Sequence, residues 1–285
     1  LLGGRIAPAG APRERRLRAP RAPRPTMTPE SAGRLLDLLA ARSGLVCAVG
    51  AGGKKSTLYR LAEAHRLVGT ERIGLTCSVT MGPPPRRLPD HYLIADLEAL
   101  GAAVPALAGH HRLLAYAQPS PKPGRLGGLP VELIARLHAL GGFTVTLVKA
   151  DGARMRWIKA PHEDEPVLPE GITTLLPVIS AKALGRPLHE AVAHRIERVA
   201  TVTGAGIGEP LSPIHLARLL TSERGLLQRS ASAAVVPIIN MVDDNAARAG
   251  ARDVAELALT ATDRFDRVVL ASMIAADPVI EVVAR

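Results

Sequence analysis

Val49-Gly50-Ala51-Gly52-Gly53-Lys54-Lys55-Ser56-Thr57-Leu58 is the stretch on which the reading of this chain turns. It is preceded by the continuous apolar run Leu45–Val49, which suits a strand buried on both faces of a parallel sheet. It is followed by Leu58, Leu61, Ala62 and His65 at helical spacing. The order is therefore strand, glycine turn, helix. Gly50, Gly52 and Gly53 let the backbone turn tightly and point successive N–H groups inward, towards the N-terminus of the helix, which favours an anion. A lysine there adds a full charge for phosphate, and Ser56 or Thr57 supplies a hydroxyl for Mg2+. The common phosphate-loop pattern, Gly, four residues, then Gly-Lys-Ser/Thr, is missed in either register. With Lys54 as the phosphate lysine, Lys55 occupies the hydroxyl position; with Lys55, Lys54 replaces the glycine. The sequence leaves both open. A plain glycine turn is the competing account, and two lysines and two hydroxyls crowded at one helix start argue against it.

Working outward, strand patterns recur at 72–77, 91–95, 144–150, 173–179, 234–241 and 267–272, with helical patterns at 30–42, 130–140, 213–220 and 245–259. Such alternation predicts an α/β, P-loop NTPase-like three-layer fold with a mostly parallel sheet. Segments 81–90 and 118–130 read as loops on their prolines and glycines. Pro237 argues against a central strand at 234–241.

The formal charge of +10 is unevenly spread: residues 1–26 carry seven arginines and one acid, leaving +4 for the rest. Five prolines and no apolar periodicity make 1–26 a disordered basic extension, and Met27 the natural start of a single nucleotide-binding domain over 27–285. A nucleic-acid partner is not expected at that charge. No apolar run reaches the roughly 20 residues a bilayer requires. Only Cys47 and Cys77 occur, both in strand-like runs, so a disulfide scaffold is not expected and a reducing cytoplasm fits.

Three further places complete the candidate site. Thr144–Lys149 reads as a buried strand that runs on to Asp151, and an aspartate at such a strand end faces the Mg2+ shell, often through water; a turn aspartate is the alternative. Thr80, closing the second strand, 72–77, is a further candidate for metal or γ-phosphate, although β-propensity explains a threonine there nearly as well. Asn240-Met241-Val242-Asp243 follows an apolar run in the way that an Asn-Lys-x-Asp tetrad reads guanine in many GTPases, with methionine in place of lysine. Finally, Gly152–Pro166, basic and then acidic, directly follows the Asp151 strand and holds the only tryptophan, Trp157; it reads as a charged surface loop or a moving switch.

Taken together, Val49–Leu58, Ala150–Arg154, Lys159–Pro169, Ala183–Leu188, Thr203-Gly204, Leu211–Pro213 and Asn240–Asp243 resemble the selenium-dependent molybdenum hydroxylase accessory proteins of the YqeC-like family. The resemblance implies a P-loop nucleotide-binding fold and a role in preparing a selenium or molybdenum cofactor, with a molybdenum hydroxylase or cofactor-maturation protein as partner. The family often has Glu where this chain has Lys149. The expected function is a Mg2+-dependent NTPase preferring GTP, with Lys54, Lys55 and Asp151 as its reacting-centre residues. The rivals are an ATP-dependent kinase or nucleotidyltransferase, and a nucleotide-gated scaffold that hydrolyses nothing.

Overall fold

In the computed structural model, which describes residues 25–230 and 233–285, the glycine stretch lies at the middle of a large sheet. The strands are β1 (Gly44–Gly50), β2 (Ile73–Cys77), β3 (His91–Ile94), β4 (Leu113–Pro119), β5 (Leu126–Gly127), β6 (Val145–Lys149), β7 (Ile158–Lys159), β8 (Ile172–Ser180), β9 (Ala193–His194), β10 (Ala234–Val235), β11 (Ile238–Asn240), β12 (Arg267–Ala271) and β13 (Val279–Ala284). The helices are α1 (Pro29–Leu38), α2 (Lys54–Leu67), α3 (Leu97–Ala108), α4 (Val131–Leu140), α5 (Ile196–Thr203), α6 (Pro213–Thr221) and α7 (Asn245–Ala261).

The sheet runs β13-β12-β11-β8-β1-β6-β2-β4-β3, parallel throughout except for the antiparallel edge strand β13. β10 pairs with β8, β5 hairpins back on β4, and β7 and β9 form a small separate ladder. Strand alternation sorts the core into two layers. Leu45, Cys47 and Val49 of β1 join one cluster with residues of α3, α4, α6 and α7, whereas Val46 and Ala48 join the other with Leu35 and Leu36 of α1 and Leu58 and Leu61 of α2. Helices thus cover both faces, and the strands read as continuous apolar runs because neither face meets water. This is the expected three-layer, mostly parallel P-loop-type fold. Met27 belongs to the second cluster at 3% exposure. The expectation for residues 1–26 falls almost wholly outside the described residues. Among the described residues no helix is long and apolar enough to cross a membrane, and both cysteines are buried and free.

Several elements depart from the sequence reading. The run expected as one strand at 234–241 splits into β10 and β11 at Pro237, which has no N–H for the ladder; β11 is nevertheless central, between β8 and β12. β4 was not anticipated, although Leu113–Ala117 is an apolar run like that of β1; its alanines lower its strand propensity. α3 contains Pro105, and α5 is preceded by Arg195 in a left-handed conformation, so neither carried a clean helical signature.

Candidate phosphate-loop site

β1 delivers the chain to the sheet's carboxyl edge, and Gly50, Gly52 and Gly53 all take positive φ to turn it into α2. At Gly53 the requirement is also spatial, since a Cβ would sit 2.0 Å from the Asn240 amide nitrogen. The loop is tied down at every step. Gly50 N–H donates to Asp151 Oδ2 at 2.8 Å, Ala51 N–H to Val178 at 2.8 Å and Gly52 N–H to Arg156 at 3.0 Å, while the Asn240 amide donates to the Gly52 carbonyl at 2.8 Å. No side chain caps α2. Its first amides, on Lys54, Lys55 and Ser56, are those the helix itself cannot satisfy.

The structure separates the two lysines. Lys54 follows the N-cap Gly53 directly and is 5% exposed. Its ammonium folds back on the Gly50 carbonyl and lies 2.7 Å from Asp151 Oδ1. Lys55 is half-buried and turns the other way, towards Gly82. Lys54 therefore stands as the loop lysine, and Lys55 occupies the position where the common pattern has a hydroxyl.

Asp151, two residues beyond the end of β6, is 1% exposed. Besides Lys54 and Gly50 it meets the fully buried Lys159, 3.1 Å from Oδ2. Lys159 also donates to the Gly152 carbonyl at 2.8 Å and pairs with Glu165, which in turn is held by Arg195 at 2.7 Å. Burial works to raise the Glu165 pKa, but the Arg195 hydrogen bonds and the Lys159 charge outweigh it and hold the carboxyl at about 2. Burial pushes Lys54 down, against the pull of Asp151, and pushes Lys149 down to about 8 with the help of the Lys54 charge. Lys149 donates to the carbonyls of Asp151 at 2.6 Å and Thr80 at 3.2 Å. Sequence reasoning placed Lys149 here and singled out the stretch that begins at Lys159, but gave neither Lys159 nor Arg195 a role at the site, because the pairing with Asp151 and Glu165 is set by the fold.

Two residues are tested by the demands of a divalent cation and fit it. Ser56 is half-buried with no side-chain hydrogen bond among the described residues, and Asp151 Oδ1 is buried, meets Lys54 as an ion pair and has no aligned hydrogen-bond donor. The other candidates are placed differently. The Thr57 hydroxyl turns back along α2 and donates to the Gly53 carbonyl at 3.2 Å. Thr80 is exposed, and the Lys149 ammonium stands between it and Asp151. Among the described residues no cluster of three His, Cys, Asp or Glu side chains forms a dedicated metal site.

At the other end of the loop, Asn240 is 3% exposed and bridges the Gly52 carbonyl to the Met273 amide, which donates to its Oδ1 at 3.1 Å. Asp243 accepts from the Ser272 hydroxyl at 2.8 Å and pairs with Lys182 at 3.0 Å. The tetrad has no lysine of its own, and Lys182, from the turn after β8, stands beside the aspartate instead. Lys182 and Ser272 were not anticipated, because each arrives from a different strand end.

A glycine loop between the central strand and an uncapped helix, with an aspartate on the neighbouring strand's end, defines a P-loop-type α/β protein. The family model described as YqeC protein matches residues 46–197, more than half of the chain, and the chain belongs to the YqeC family. It is 28% identical over 189 residues to the protein titled "Uncharacterized protein YqeC" of Escherichia coli (strain K12), covering 65% of this chain and 70% of that one. Among solved structures it is similar to the hydrogenase maturation factor HypB from Archaeoglobus fulgidus, at 12% identity and a TM-score of 0.36, over 86% of this chain and 89% of the other.

Proposed function

We propose that residues 27–285 form a nucleoside triphosphate-binding unit that prefers GTP and serves as an accessory protein in maturation of a selenium-dependent molybdenum hydroxylase. The observation that carries the nucleotide part is the buried Lys54 ammonium, held against Asp151 and the Gly50 carbonyl beside an uncapped helix start. A triphosphate offers that ammonium a stronger anion than one already shared with Lys159. Lys54 then turns to the phosphates, and the first-turn amides of α2 donate to them. Mg2+ would be held by Ser56 and, through water, by Asp151, and would supply charge neutralisation at the phosphate tail. Asp243 would accept hydrogen bonds from guanine N1–H and the N2 amine, which adenine lacks; its exposed pair with Lys182 is worth about 0–1 kcal/mol and gives way readily. The hydroxylase role follows from the family resemblance and is separate from the nucleotide chemistry.

Calorimetry with GTP, ATP and CTP, with and without Mg2+, tests the reading on the native chain, Lys54→Ala and Asp243→Asn. GTP binding lost in Lys54→Ala, and a GTP preference lost in Asp243→Asn, are expected. Equal ATP and GTP affinities unaffected by Asp243→Asn would remove guanine recognition; no binding of any triphosphate would remove the site. The hydroxylase role is tested by deleting the gene and assaying selenium-dependent hydroxylase activity, which should fall.

A further inference from the structure

Beside the phosphate loop lies a pair of cations that the loop does not use. Lys55 Nζ and Arg125 Nη1 lie 3.2 and 3.4 Å from the point where a side chain on Gly82 would begin. Neither makes an ion pair or a side-chain hydrogen bond among the described residues. Two positive heads converging on one point repel, and burial with the Arg125 charge lowers the Lys55 pKa. The convergence is built, not incidental. Lys55 is fixed on the first turn of α2. The segment carrying Gly82 is fastened to the β4–β5 hairpin by reciprocal backbone bonds, Met81 N–H to Leu126 at 3.1 Å and Leu126 N–H to Met81 at 2.7 Å, which bring Arg125 alongside. The residue before Met81 is held as well, by Lys149 at the Thr80 carbonyl. Gly82 does not have the positive φ that would demand glycine. What its missing side chain allows is the close approach of both cationic heads to the backbone there, which a Cβ would already crowd.

We propose that Lys55 and Arg125, about Gly82, form an oxyanion subsite adjoining the phosphate loop. It takes a tetrahedral, phosphate-type oxyanion, either the terminal phosphate of the bound triphosphate or the oxyanion of a second substrate. This rests on the nucleotide reading above. Lys55 supplies a point charge from the first turn of α2 and Arg125 a planar fork from the β4–β5 hairpin, a division suited to an anion shared between loop and hairpin. The buried acid nearby, Asp151, is already matched by Lys54 and Lys159, so it leaves the pair's charge uncancelled.

The test is calorimetry on the full chain and on Lys55→Ala, Arg125→Ala and Arg125→Glu, each first checked for an unchanged melting profile. GTP and GDP are titrated into each protein, and inorganic phosphate into the free and GDP-loaded forms. If the subsite takes the terminal phosphate, the GTP-over-GDP preference falls about tenfold in both alanine variants and further in Arg125→Glu. If it takes a second substrate, that preference holds, and phosphate binding to the GDP-loaded native protein is lost in the variants. The proposal is overturned if neither the preference nor phosphate binding differs from the native chain. Should no nucleotide bind at all, the loop reading fails by itself, and phosphate titration of the free protein still decides the subsite: binding lost in Arg125→Ala upholds it, and binding absent or unaltered overturns it.

Discussion

Asp151 is asked to hold two ammonium groups at once. With Lys159 fully buried and Lys54 nearly so, the cost of desolvating Lys54 is offset by that carboxylate and the Gly50 carbonyl, and that of Lys159 by Asp151, Glu165 and the Gly152 carbonyl. Lys159→Met leaves Asp151 with one cation and strips Glu165 of its buried partner. A loss of about 3–5 kcal/mol is expected, read from the urea midpoint. Lys54→Ala should cost less, because Asp151 keeps Lys159 and the Gly50 amide, while nucleotide binding is lost. Gly53→Ala brings a methyl to 2.0 Å from the Asn240 nitrogen in a conformation that L-residues rarely adopt. It should destabilise by about 2–4 kcal/mol and release Asn240 from the loop, visible as a lowered melting temperature.

At the scale of elements, the segment from Gly152 to Pro166 is the part of the chain most closely fastened to the glycine loop from outside it. It lies against the loop through the Arg156 carbonyl on Gly52 N–H, and it is locked to the start of α5 by Glu165 and Arg195. Gln228 adds hydrogen bonds to the carbonyls of His162, Glu163 and Glu165. Trp157 is half-buried, with its carbonyl 2.6 Å from the place a Cβ on Gly52 would occupy. Triphosphate binding at the loop should therefore change the emission of this single tryptophan, and Lys54→Ala should abolish the change. Glu165 also sets a pH response. Its folded pKa is about 2, below the ordinary 4.5, so its stabilisation is present above pH ~4.5 and is lost as pH falls towards 2. Urea midpoints measured from pH 6 to 2.5, a range chosen as roughly bracketing that loss, should drop more steeply for the native chain than for Glu165→Gln.

Across the whole molecule, Asn240 ties the loop after β1 to β11 and to the turn after β12, across 188 residues of chain. Asn240→Ala leaves a buried carbonyl and a buried amide unpaired. About 1–3 kcal/mol should be lost, together with nucleotide affinity, in parallel melting and calorimetric measurements. The strand–glycine–helix unit, the alternation of strands and helices, and the aspartate after β6 were legible in the chain because each is local: apolar period, glycine spacing and a strand-end acid lie within a few residues of one another. The same locality explains the failures, since Pro237, Pro105 and Arg195 obscured real elements by breaking a local rule that tertiary packing overrode.

The amino-acid order alone determined that a glycine turn joins a buried strand to a helix, where it lies and which strand ends face it, because backbone turning and strand burial depend on neighbours in sequence. Which lysine enters the loop, that Asp151 serves two cations, and that Lys182, Ser272, Arg195 and Arg125 belong around it were decided only by the folded sheet. Strand order and register bring together side chains that no sequence spacing relates, and burial then sets which of their charges must pair.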